Sequence, residues 1–245
     1  MNDRTTARRR AEIIRLLEQE GAVEGSDLAA RFGVSAPTVR RDLEWLEREG
    51  LAHRVRGGAV AAGRDEHDAV YVRLAQAAAE LVSDGETVFV GPGQAMEELG
   101  RALCERHRLT VVTNSLPVAQ QIARHSQHTL ILTGGQLERE DQGLTGQLTH
   151  AALAHLRAER VFFEPDGISA LDGLTSDSLA CADLARALLD TGAEFVALVA
   201  PERVGRAAAA SIGPATEASV VITGRQADTA YLWELTELGV RVILA

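Results

Sequence analysis

Seven short apolar runs recur from residue 66 onward and constrain the fold more than any other feature: TVFV (87–90), LTVV (109–112), TLIL (129–132), RVFF (160–163), FVALV (195–199), SVVI (219–222) and RVILA (241–245). Amphipathic or Ala-rich helical stretches separate them. Continuous apolar runs, unlike two-residue alternation, are what strands covered on both faces require. The pattern therefore predicts an α/β unit with a mainly parallel sheet under helical cover. In such sheets a ligand sits beyond the carboxyl ends of the strands.

The residues at those ends are small or polar. Gly91-Pro92-Gly93-Gln94-Ala95 follows the first strand and opens a helix, and Thr113-Asn114-Ser115 follows the second, before the helical stretch Leu116 to Arg124. Thr133-Gly134-Gly135 follows the third, Asp166-Gly167-Ile168-Ser169 the fourth, and Arg203 with Gly205 lies just past the fifth. Backbone N–H groups and helix N-termini at such positions can hold an anion. A glycine after one strand is an ordinary turn, but five such endings in one topological location point to a ligand crevice. The candidate effector-binding residues are Gly91, Gly93, Gln94, Ala95, Asn114, Ser115, Gly134, Gly135, Asp166, Gly167 and Arg203.

The first 64 residues have another character. They carry 12 Arg against 10 Asp and Glu, net +2, whereas the rest carries 13 Arg against 25, net −12. Between the two, AAGRDEHDA (61–69) is small, polar and charged, as a linker reads, and places a domain boundary near residue 65. Ile13, Ile14, Leu16 and Leu17 recur at helical spacing in a first helix that stops at Gly21. Ser26 is the expected cap of a short second helix, Asp27 to Phe32, ended by Gly33, and Ser35 the cap of a third, Ala36 to Glu49.

On the third helix Val39, Leu43 and Leu46 share one face, with Pro37, Arg40 and Arg41 opposite. A helix-turn-helix puts the amino-terminal part of its second helix into the major groove, where arginine grips phosphate or guanine bidentately. Glu44, Glu47 and Glu49 come later, where the helix leaves the groove. LAHRVRGGAV then alternates Leu51, His53 and Val55 with Ala52, Arg54 and Arg56 before a Gly57-Gly58 turn, the pattern of a two-stranded wing. The candidate DNA contacts are Ser35, Ala36, Pro37, Thr38, Arg40, Arg41, Arg54, Arg56 and Gly57.

From Val34 to Ala59, the text VSAPTVRRDLEWLEREG…RVRGGA resembles the winged helix-turn-helix of the DeoR family of bacterial transcription regulators. Downstream, VVTNSLPVAQQIA, LTGG, Gly146, DGIS…GLT and the terminal GVRVILA resemble that family's effector domain, a sugar-phosphate-isomerase-like fold. The resemblance implies sensing of a phosphorylated sugar or related metabolite that changes DNA affinity. Two segments depart from the family pattern. Its usual first loop, an aspartate with GTT, is here GPGQA, so Gln94 and Ala95 replace two hydroxyls expected to hold phosphate. Its DSSK-like segment is here Ala200-Pro201-Glu202-Arg203, which replaces an acid by Ala200 and a lysine by Arg203. Arginine still binds phosphate, as a planar fork. The lost aspartate and hydroxyls change which sugar fits, or remove sugar binding.

All 25 cationic side chains are arginine, which excludes Schiff-base catalysis by lysine and the phosphate-loop motif. Asp166, Asp172 and Asp177 are the candidate bases of an isomerase-like enzyme, but that fold resemblance would normally bring a lysine, and turnover does not need a DNA reader. His125 with His128, and His150 with His155, lack a third ligand, so no metal and no cofactor is expected. Cys104 and Cys181 have no CxxC spacing and read as buried, reduced thiols. No apolar run reaches membrane length and none follows the charged start as in a secretory signal, so the cytoplasm is the expected compartment and no membrane partner is expected.

The sequence thus predicts a winged helix-turn-helix over residues 1–64 and a larger mainly parallel α/β domain over 65–245 that binds effector and oligomerises. The expected function is a DNA-binding transcriptional regulator of carbohydrate or related metabolism, with repression the expected sense. The expected partners are double-stranded operator DNA, a small anionic metabolite such as a phosphorylated sugar, and further copies of the chain in a homo-oligomer. The alternatives are a regulator whose α/β domain only oligomerises, and an isomerase-like enzyme.

Overall fold

The computed structural model describes residues 2–55, 57–61, 66–155 and 157–245. The chain divides into two compact units, residues 1–73 and 74–245. The first begins with α1 (Asn2–Glu20), β1 (Ala22–Glu24), α2 (Gly25–Phe32) and α3 (Ala36–Arg48), and closes with β2 (Ala52–Val55) and β3 (Gly58–Ala61). The apolar faces read from the sequence meet in one core: Ile13, Leu16 and Leu17 of α1, Leu28 of α2, and Val39, Leu43 and Leu46 of α3. Leu46 is fully buried, and burial of each such side chain is worth about 1.5–3 kcal/mol.

Two local expectations are corrected. Ser26 does not cap α2: the helix starts two residues earlier, at Gly25 behind Glu24, and the Ser26 hydroxyl turns to the Glu24 and Asp27 carboxylates. The expected Gly57-Gly58 turn does not include Gly58, which already belongs to β3, opposite Val55. The wing also gains a third strand, in the order β1-β3-β2. Here the glycine pair acquires a cause. A Cβ on Gly58 would lie 1.9 Å from the carbonyl oxygen of Val23, so β1 can pair with β3 only past a residue without a side chain.

The helix α4 (Glu66–Glu80) runs across the division at residue 73. The second unit continues with β4 (Thr87–Val90), α5 (Gln94–Leu103), β5 (Thr110–Thr113), α6 (Leu116–His125), β6 (Thr129–Leu132), β7 (Gln136–Leu137), β8 (Leu144–Thr145), α7 (Gln147–Leu153) and β9 (Arg160–Phe163). It ends with β10 (Gly167–Ser169), β11 (Gly173–Ser176), α8 (Leu179–Leu189), β12 (Glu194–Val199), β13 (Ala210–Gly213), β14 (Val220–Thr223), α9 (Thr229–Glu237) and β15 (Arg241–Leu244).

All seven runs form one sheet in the order β15-β14-β12-β9-β4-β5-β6, every neighbouring pair parallel. Phe89, Val161, Phe163, Phe195, Ala197 and Val221 contribute to its main core. Burial on both faces holds for the inner strands. The edge strands β6 and β15 instead leave Leu132 and Leu244 exposed, each having a neighbour on one side only.

A smaller antiparallel sheet, β10-β11-β13, and the hairpin β7-β8 were not legible as strands. Gly167, expected in a loop, is therefore a strand residue. Chain order reverses between β4 and β9: β5 and β6 follow on one side of β4, while β12, β14 and β15 follow beyond β9. Such a switch point separates the loops at the carboxyl ends of two adjacent strands and opens a crevice there.

Candidate functional site

The outer face of α3 is built by what its inner face fixes. Asp42 is 2% exposed, and its carboxylate accepts from Arg9 Nε at 2.6 Å and Arg10 Nε at 2.9 Å. The Arg10 guanidinium in turn lies 4.4 Å from the ring centroid of Trp45. These contacts tie α3 to α1 and set its orientation. At the helix start, Ser35 occupies the cap position, but its hydroxyl pairs with Thr38 Oγ1 at 2.9 Å instead of a backbone N–H. Ala36 and Pro37 are exposed.

The arginines on this surface are not equivalent. Arg40 Nε donates to Glu44 at 2.9 Å, and Arg54 of the wing lies 3.5 Å from the same oxygen. The Arg40 hydrogen bond holds the Glu44 carboxyl below the usual carboxylate range. The Arg54 backbone N–H is taken by Glu47. Arg41 is exposed and has no ionic or hydrogen-bond partner among the described residues. Gly57 is exposed, and its carbonyl accepts from Gly25 N at 2.7 Å. Arg56 lies outside the described residues.

In the second unit a cleft of ≈ 420 Å³ opens at the switch point. Four of the expected effector residues line it: Gly93, Gln94, Asp166 and Arg203. The other walls include Glu97, Glu140, Asp141 and Glu164, so five carboxylates face one guanidinium. Glu164 was missed, and it changes the chemistry. Its side chain is 5% exposed, and Oε2 accepts the N–H of Ala95 in the first turn of α5 at 2.9 Å. Its Oε1 accepts from Arg203 Nη1 at 3.1 Å, while Asp166 lies 3.6 Å from the same nitrogen.

The helix N-terminus expected to cradle an incoming anion is thus occupied by a carboxylate of the protein itself, and so is the expected anion-binding arginine. Burial pushes the Glu164 carboxyl up to about 7, against the lowering effect of Arg203 and the Ala95 N–H. Gly93, at φ 128, makes room for it: a Cβ there would meet Glu164 Oε2 at 2.4 Å. The signal available in the sequence was a glutamate directly after the apolar run RVFF, two residues before the aspartate that was singled out.

The remaining expected residues do not line the cleft. Gly91 is buried, its N–H donating to Phe162 O at 3.0 Å. Asn114 is buried with Nδ2 on Leu144 O at 2.9 Å, and its Oδ1 has no partner among the described residues. Ser115 caps α6. Gly134 O accepts from Thr149, and Gly135 lies against Thr149 and Thr145. Gly167 packs against Arg206 O and Thr175.

The three aspartates weighed as bases are each engaged by other groups of the protein. Asp166 accepts from Ser176 Oγ and Asp177 N, Asp172 pairs with Ser169 Oγ, and Asp177 pairs with Arg206. Both cysteines are free, and half-buried where full burial was expected. Burial pushes the Cys181 thiol, which lines the cleft, up to about 12 and leaves it a poor nucleophile. Among the described residues no helix is long and apolar enough to cross a membrane.

Comparison with known proteins matches both units of the chain. Residues 9–64 match the DeoR-like helix-turn-helix domain and residues 70–225 the DeoR C terminal sensor domain. The chain belongs to the DeoR family. This DeoR-family chain is 27% identical to a putative aga operon transcriptional repressor of Escherichia coli O157:H7, over 98% of its own length and 94% of that protein's. It is 30% identical to the lactose phosphotransferase system repressor of Streptococcus mutans, over 89% and 91% of the two chains. Among solved structures, ribose 5-phosphate isomerase A of Methanocaldococcus jannaschii is similar at a TM-score of 0.40, with 16% identity, over 56% of this chain and 55% of that one. The DeoR-family chain is a DNA-binding transcriptional regulator with a helix-turn-helix unit and a mostly parallel α/β sensor domain.

Proposed function

We propose that the protein is a cytoplasmic, homo-oligomeric repressor of genes for sugar uptake or use, which grips double-stranded operator DNA through Ser35 to Arg41 and the wing residues Arg54, Arg56 and Gly57. The observation that carries this reading is Arg41: an exposed guanidinium, unpaired among the described residues, near the start of a helix whose opposite face is locked into the core. The named relatives, repressors of an aga operon and of a lactose phosphotransferase system, support the sugar connection. Paired half-sites are the usual targets of such modules and support an oligomer.

Control is assigned to a small metabolite in the switch-point cleft. The family resemblance favours a phosphorylated sugar, whose phosphate would have to displace or protonate Glu164. The engagement of Ala95 N–H and Arg203 by Glu164 favours a second reading, in which the cleft takes an unphosphorylated sugar or polyol through its carboxylates. Genomic fragments captured by the purified protein, sequenced and then titrated with phosphorylated sugars and their unphosphorylated counterparts, test both. Enrichment of a site that is released by one member of such a pair supports the regulator and selects the effector class. Enrichment indifferent to every metabolite leaves the α/β domain as an oligomerisation platform, and no enrichment refutes the operator-binding role.

A further inference from the structure

A second cavity, ≈ 480 Å³, lies at the other end of the sheet, where α5 and α6 finish and β5 and β6 begin. It is lined by Arg106, His107, Arg108, Arg124, His125 and His128 and by no carboxylate. Residues 74–245 hold 12 Arg against 22 Asp and Glu, net −10, so a cleft drawing on three of those arginines with no acid in its wall inverts the charge of its own domain.

Part of this basic character serves the fold. Arg106 donates to Ala79 O at 2.8 Å, and the His128 ring meets Leu103 O at 2.8 Å, both satisfying carbonyls at helix ends. Arg108 and Arg124 are not used in that way. Both are exposed, and neither has a hydrogen-bond or ion-pair partner among the described residues. The carboxylate of Asp84 is engaged by the His107 backbone N–H. Arg108 also sits at φ 58, in the left-handed region that a non-glycine residue adopts only at a cost.

We propose that this cavity is a binding site for a small phosphate-bearing anion, held by the Arg108 and Arg124 guanidiniums with His107 and His125 as further donors. Two guanidiniums present planar forks that match phosphate oxygens, and the volume suits a small phosphate ester. The site is separate from the switch-point cleft, where the guanidinium is already paired with the protein's own carboxylates.

The test is calorimetric titration of the full chain with pyrophosphate, at ionic strength held constant with chloride. Saturable binding is expected, and Arg124→Gln is expected to weaken it by about tenfold to a hundredfold, the worth of one charge-assisted contact. Arg108→Asn, which tolerates the left-handed backbone, should do the same, whereas Arg203→Gln in the other cleft should leave it unchanged. Both substituted side chains of this cavity are exposed, and circular dichroism of each variant checks that the fold is kept. Absence of saturable binding, equal binding by Arg124→Gln, or loss in Arg203→Gln alone would overturn the proposal. A phosphate supplied by the DNA backbone instead would appear as a salt slope of operator binding reduced by about one in Arg124→Gln, and that result also overturns it.

Discussion

Replacing Glu164 by Gln should change the pH dependence of the sensor domain in a defined direction. In the folded protein burial lifts this carboxyl to about 7, whereas in the unfolded chain it titrates near its ordinary value of about 4.3. Between these values the folded state holds a proton that the unfolded state has released. The contribution to stability is therefore fully present below the unfolded value and is lost as pH rises through 7. At about 1.4 kcal/mol per tenfold change in proton affinity, it shrinks by about 2–3 kcal/mol between pH 5 and pH 8. Gln keeps an oxygen for the Ala95 N–H and does not titrate, and Arg203 keeps Asp166 at 3.6 Å. Relative to the parent, Glu164→Gln should gain about 2–3 kcal/mol on going from pH 5 to pH 8. Hydrogen exchange of the β9 and β12 amides reads the opening of this unit without interference from the helix-turn-helix. Parallel pH profiles for the two proteins, or a gap that widens toward acid, would refute the claim that an ionising, buried Glu164 occupies the head of α5.

Three further outcomes follow from the helix-turn-helix unit. Arg41→Ala should weaken specific DNA binding by about 1–3 kcal/mol if the side chain reads a base, and a salt titration separates that from a uniform, phosphate-type loss; no loss at all removes Arg41 from the contact surface. Asp42→Asn should destabilise this unit by about 3 kcal/mol, because it breaks a buried ion pair with Arg9 and Arg10, and urea unfolding should show the loss confined to residues 1–73; an unchanged midpoint would mean that the clamp does not hold α3. Gly58→Ala should break the pairing of β1 with β3, seen as lost exchange protection in Val23 and Val60, while DNA binding falls through displacement of the wing; retained protection there would contradict the 1.9 Å approach.

What the sequence revealed and what it concealed have separate physical causes. The seven parallel strands were legible because each is a β-branched apolar run, and burial demands that signature wherever helices cover a sheet. β10 (Gly167–Ser169) and β11 (Gly173–Ser176) carry no such run: each has a single large apolar residue, Ile168 or Leu174, among glycine and hydroxyl residues, and backbone pairing makes the strands. β1 is three residues long and exists only by virtue of Gly58, 34 positions away from Glu24, its partner in register. The position of the cleft followed from strand order and small residues at strand ends. Its charge did not, because Glu164 and Ala95 are 69 residues apart and no local pattern announces that one caps the other.

The same separation governs the arginines. In a chain whose every cation is arginine, a basic motif states how many guanidiniums are present, and only the fold states which remain available. Arg9 and Arg10 are held by Asp42, Arg40 and Arg54 share Glu44, and Arg203 is held by Glu164. Each pairing carries an entropic and electrostatic cost to any ligand that would take the cation for itself. Subtracting the paired arginines leaves Arg41 on α3 and Arg108 with Arg124 at the amino end of the sheet, as unpaired cations at a candidate site among the described residues. Both places suit phosphate, in the one case on DNA and in the other on a small molecule. The switch-point cleft, where sequence resemblance alone would put the phosphate, is the place where the protein's own carboxylate already stands.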